Sequence, residues 1–115
     1  MVKEIEIGGN NISFLSNGAT PIFYKQIFNK DLLKEMTGDE FDVASDKVPE
    51  LAFVMAKQAE KADMKMLSYD SYIDWLSQFS ALDLALKGSE IAKVYIADSI
   101  PMEEPKKKKN GAVKE

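Results

Sequence analysis

Glu4-Ile5-Glu6-Ile7-Gly8-Gly9-Asn10-Asn11-Ile12-Ser13-Phe14 decides whether this 115-residue chain is all helical or mixed. Ile5 and Ile7 alternate with Glu4 and Glu6, the period of a strand with one buried face. Gly8 to Asn11 supply residues that tolerate the positive φ angles of a tight reversal. Ile12 and Phe14 then resume the alternation around Ser13. Two such runs about a Gly/Asn turn predict a β-hairpin, and a lone hairpin is marginal in water, so it must pack on something. No Gly-Lys-Ser/Thr follows the glycines, so a phosphate loop is not indicated.

Downstream of the hairpin the periodicity turns helical. Asn17-Gly18 breaks the chain, Thr20 can cap a helix, and Pro21 suits its first turn. Ile22, Phe23, Ile27 and Phe28 give that helix a pairwise apolar stripe. Asp31 can open a further short helix through Leu32, Leu33 and Met36, ended by Thr37-Gly38, and Asp39 to Asp46 read as an acidic, solvated loop. Its carboxylates do not have the spacing of an EF-hand loop. From Asp46, with Pro49 and Glu50 early, a long helix is expected. Val48, Leu51, Ala52, Met55, Ala59, Ala62 and Met66 lie on one face of it, and Glu50, Lys57, Lys61 and Lys65 opposite. Phe53 and Met64 fall on a flank of that stripe.

Ser68 or Asp70 opens a short helix holding Tyr72, Ile73, Trp75, Leu76 and Phe79. Its Asp70 and Asp74 share a face, but no His, Arg or nucleophile accompanies them, and they read as solvated. A last helix is expected from about Ala81 to Asp98, with Asp83, Lys87, Glu90 and Asp98 as a polar stripe and Asp83–Lys87 as an i,i+4 pair. Leu82, Ala85, Leu86, Ala92 and Ile96 face one way; Leu84, Ile91 and Tyr95 face another. Gly88 marks a bend or a close approach inside it. The predicted fold is therefore α+β, mainly α: an N-terminal β-hairpin packed on a small bundle of four to five helices. Residues 1–100 form one globular domain, and residues 101–115 a disordered, lysine-rich C-terminal tail.

Composition limits the chemistry. Histidine, cysteine and arginine are all absent. That removes disulfides, imidazole or thiolate metal sites, Cys- or His-based catalysis and bidentate guanidinium clamps. No Ser-x-x-Lys pair and no dinucleotide fingerprint is present. The reading is not an enzyme, with no cofactor and no metal. Residues 1–100 carry ten lysines against sixteen carboxylates, a net of −6, while the tail holds five lysines. An acidic body repels nucleic acid and anionic membrane, so neither is an expected partner. Lys3, Glu4 and Glu6 stand where a signal peptide would be apolar, which places the chain in a cytoplasm.

The run Ile12-Ser13-Phe14-Leu15-Ser16-Asn17-Gly18-Ala19-Thr20-Pro21-Ile22-Phe23-Tyr24-Lys25-Gln26-Ile27-Phe28-Asn29-Lys30-Asp31-Leu32-Leu33 resembles the front of the tail assembly chaperones of long-tailed phages and prophages of low-GC Gram-positive bacteria. The Pro49–Ala62 helix, the Trp75–Phe79 segment and the lysine-rich end are similar too, and the resemblance covers residues 5 to 109. It implies a protein of the bacterial host cytoplasm that binds the tape measure protein. Such a chaperone keeps its client soluble while the tail tube assembles, and is absent from the virion. It also implies that a longer form, made by translational frameshift, can engage the tail tube protein; Lys106–Lys109 is what an A-rich slippery stretch would encode. Other phage morphogenesis proteins (a head–tail completion or tail tube component) and a small regulatory interaction module are the alternatives. Apolar helix faces are what such a client offers, and adaptable side chains suit it. The candidate partner-binding surface is Phe53, Met64, Leu84, Ile91 and Tyr95, and the same apolar breadth could serve a homo-oligomer.

Overall fold

The computed structural model describes residues 1–32 and 47–99. Within them the chain is α+β and mainly helical: an N-terminal antiparallel hairpin followed by five helices. The hairpin pairs β1 (Val2–Ile7) with β2 (Asn10–Leu15). Ile5 faces Ile12, and Ile7 faces Asn10. The loop is therefore only Gly8-Gly9, with φ of +58° and +88°, the double positive φ of a two-residue hairpin turn whose twist matches its strands. Asn10 and Asn11, expected in the turn, belong to β2 instead. The Glu6 carboxylate accepts the Gly9 N–H at 2.7 Å. Ile5, Ile7 and Phe14 are buried on one side of the sheet, while Glu4, Glu6 and Ser13 are exposed on the other.

Helix α1 (Thr20–Phe28) begins one residue earlier than a Thr20 cap would require, with Ala19 at the cap and Pro21 in the first turn. Thr20 is buried, and its hydroxyl accepts the Asn17 N–H at 3.0 Å and donates to Gln58 Oε1 at 2.7 Å. Tyr24 is fully buried as well, while Ile22, expected on the inner stripe, is exposed. Asn29 stops the helix with φ +56°, its N–H returning to the Lys25 carbonyl, a left-handed cap that Asn tolerates better than most residues.

Helix α2 (Lys47–Ala59) is the centre of the molecule. Val48, Glu50, Leu51, Ala52, Phe53, Val54, Met55, Ala56 and Gln58 are all buried, so it presents no continuous solvent face. The hairpin and α1 pack on it, as do α3 (Tyr69–Leu76) and α5 (Gly88–Ser99). Glu50, expected on the solvated side, is buried with its carboxylate accepting Tyr24 Oη at 2.6 Å and Lys30 Nζ at 3.0 Å. A buried carboxylate persists only when its oxygens are so occupied.

The expected continuation to Met66 does not form. Lys61 adopts φ +60°, its N–H bonds the Gln58 carbonyl and that of Ala62 bonds Lys57, which is the Schellman pattern that closes a helix. A 3₁₀ turn, Met64–Met66, follows. Ser68 then caps α3 through a reciprocal capping box with Ser71. Helix α4 (Ala81–Leu86), capped by Ser80, is separated from α5 by Lys87. The single last helix expected over 81–98 is thus two helices broken beside Gly88. Lys87 pairs with Glu90 at 3.5 Å rather than with Asp83. The short helix expected after Asp31, the acidic loop to Asp46 and the tail 101–115 lie outside the described residues, though Leu32 is buried in the core.

Candidate functional site

Four of the five residues expected to form an apolar docking face are core. Phe53 is 0% exposed, Ile91 0%, Tyr95 7% and Met64 8%, and Leu84 is half-buried against the same cluster. The reason differs for each element. Phe53 lies off the main stripe of α2, but α3 packs on that flank. Its ring sits 5.5 Å from Tyr72 and 5.8 Å from Trp75, tilted or edge-on, the geometry aromatic quadrupoles favour. Phe28 and Phe79 extend the cluster, 4.9 Å from Tyr72 and from Trp75 respectively. Met64 turns inward because the Schellman stop at Lys61 reverses the chain; its carbonyl accepts Gln26 Nε2 at 2.6 Å. Ile91 and Tyr95 are inward because α5 lays Ile91, Ala92, Val94 and Tyr95 against α2 and the hairpin.

The apolar side chains that face out are different ones. Leu82 and Leu86 on α4 are each 68% exposed, and Tyr69, Ile73 and Met66 are also exposed around the start of α3. On one continuous helix Leu82 and Leu86 would share a face with Ala92 and Ile96. The break at Lys87 removes that shared face. Asp83 of α4 lies close to the hairpin tip: a Cβ added to Gly8 would come within 2.8 Å of Asp83 Oδ2. The break had a signal in Gly88. The contact between Asp83 and Gly8, seventy-five residues apart, had none.

Nothing in the described residues assembles a reaction centre. Among them no group of three or more Asp or Glu side chains could hold a metal ion. Asp70 and Asp74 are exposed. Asp74 lines an open cleft of about 320 Å3 with Lys57, Leu67, Ser71, Trp75 and Gln78, where Lys57 is drawn to Glu60 at 3.4 Å. A second groove, about 300 Å3, separates Met1 and Lys3 from Glu90, Lys93, Val94 and Ala97. Both are shallow surface features without the convergent polar groups of a small-molecule site. No helix among the described residues is long and apolar enough to cross a membrane. What the described residues offer is a set of exposed apolar side chains, Leu82 and Leu86 on α4 and Met66, Tyr69 and Ile73 near the start of α3. Comparison with protein-family models, with curated proteins and with solved structures returned no match.

Proposed function

We propose that the chain is a phage tail assembly chaperone, acting in the bacterial host cytoplasm, that binds the tape measure protein and keeps it soluble while the tail tube is built. The reading starts from the resemblance of residues 12–33, 49–62 and 75–79 to that family noted in the sequence. The observation that carries it is the pairing of exposed Leu82, Leu86, Tyr69, Ile73 and Met66 with a body whose net charge over residues 1–100 is −6. Apolar side chains give a long helical client something to bind, and the charge keeps the complex dissolved. The similarity also implies a longer frameshifted form reaching the tail tube protein. Its junction would fall in the lysine-rich end.

A tagged pull-down from cells expressing the surrounding gene cluster, read by mass spectrometry, tests this. One very long, helix-rich protein should be recovered, and it should be soluble only when this chain is present. Recovery of tube or connector proteins alone, or presence of the chain in purified virions, overturns the reading.

A further inference from the structure

The outward side of α4 carries no polar side chain. Ala81, Leu82, Ala85 and Leu86 are exposed, and the two residues turned partly inward are Asp83 and Leu84. A surface helix ordinarily sends its carboxylate to water and its leucines to the core. Here Asp83 is taken up by the hairpin tip, and two of the three leucines point away. The helix contributes no fully buried residue; among the described residues, core packing accounts for Leu84 but not for Leu82 and Leu86.

We infer that this face of α4 is a docking ridge for an amphipathic helix of another protein, one that carries basic residues beside its apolar stripe. The ridge rests on burial, whereas the client's identity rests on the chaperone reading. Area, shape and charge choose this occupant. The exposed leucines and alanines offer a few hundred Å2, well short of the roughly 800 Å2 per partner of a stable interface. A second copy would not be held by it, and a client that must later be released would. Leucines four residues apart form a ridge that fits the groove between the side-chain rows of another helix, and Ala81 and Ala85 let the two backbones approach. The chain's net charge of −4 repels its own copies and attracts a basic flank.

The probe is a fluorescently labelled synthetic peptide of leucine, alanine and lysine patterned as an amphipathic helix. A scrambled peptide of the same composition is the control, and both are titrated by anisotropy at physiological salt. The full chain should bind the patterned peptide and not the scrambled one. Leu82→Ser/Leu86→Ser should weaken binding at least tenfold with an unchanged circular dichroism spectrum. Val2→Ser/Ile22→Ser, exposed elsewhere, should bind as the unaltered chain does. Equal binding by both double variants, or equal binding of both peptides, overturns the ridge. So does a stable dimer in sedimentation that Leu82→Ser/Leu86→Ser dissociates. Co-expression with the tape measure protein separates the two readings. If the Leu82→Ser/Leu86→Ser chain still keeps it soluble, the ridge fails and the chaperone reading stands. If the unaltered chain keeps nothing soluble yet binds the patterned peptide, the ridge stands and the chaperone reading fails.

Discussion

At the scale of single residues, stability concentrates where backbone angle and close approach coincide. Gly8 holds φ +58° with Asp83 Oδ2 2.8 Å from where a Cβ would stand, whereas Gly9 holds φ +88° with open space around it. A left-handed conformation costs a residue with a Cβ about 1–2 kcal/mol. Gly9→Ala should therefore lose about that much in urea denaturation. Gly8→Ala should lose more, because the Asp83 carboxylate must also move. Adding Asp83→Ala should recover the excess at Gly8 and nothing at Gly9, a coupling read by a double-mutant cycle. Lys61 offers the opposite case. It sits at φ +60° where helices ordinarily place glycine, so Lys61→Gly should stabilise the protein by about 1 kcal/mol, visible as a higher denaturation midpoint. Glu50 and Lys30 differ in burial: their side chains are 6% and 36% exposed. Glu50→Gln keeps an acceptor for Tyr24 and removes the ion pair to Lys30. Lys30→Met strands a buried carboxylate and should cost more, about 1–3 kcal/mol by denaturant titration.

At the scale of elements, the helices divide into those that make the core and one that does not. Ile91 and Tyr95 on α5 are as buried as the centre of α2. Ile91→Ser combined with Tyr95→Ser should unfold the domain, since a single large-to-small change at such a position already costs about 2–5 kcal/mol. Leu82→Ser and Leu86→Ser on α4 should each shift stability by no more than about 0.5 kcal/mol, as substitutions at exposed sites usually do. A thermal melt of the two pairs of variants distinguishes them directly. The junction of hairpin exit, α1 and α2 is held by polar bonds: Asn17 N–H to Thr20 Oγ1, Thr20 Oγ1 to Gln58 Oε1, and Gln58 Nε2 to Asn17 Oδ1 at 3.1 Å. Thr20→Val preserves shape but orphans the Asn17 donor, and should cost about 1–3 kcal/mol in chemical denaturation.

For the whole molecule, one helix buried on nearly every side organises the rest. The hairpin, α1, α3 and α5 surround α2, which leaves α4 at the periphery, capped by Ser80 at its start and touching the core through Leu84. Such an arrangement separates folding from binding: the core can be complete while an apolar ridge stays outside it. Raising salt should accordingly weaken capture of a basic helical client, because the attraction of the acidic body is screened. The melting temperature should respond far less, since the core is apolar and aromatic. Parallel salt titrations of peptide binding and of thermal unfolding test this.

Local chemistry was enough to place much of this protein. Alternation about Gly8-Gly9 marked the hairpin, Ser68 or Asp70 marked the start of α3, and the absence of His, Cys and Arg limited the reactions open to the chain. These are short-range or compositional properties, legible without knowing what touches what. The inward side of each helix was not legible. A helix apolar over most of its circumference has two possible inner faces, and its own periodicity does not choose between them. Phe53 is core because α3 covers that flank, and Glu50 is core because Tyr24 and Lys30 reach it. Ile91 and Tyr95, rather than Leu82 and Leu86, turn inward because the chain breaks at Lys87 and α5 alone packs on α2 and the hairpin. Each of these choices depends on side chains distant in sequence, and only the packed tertiary structure brings them together.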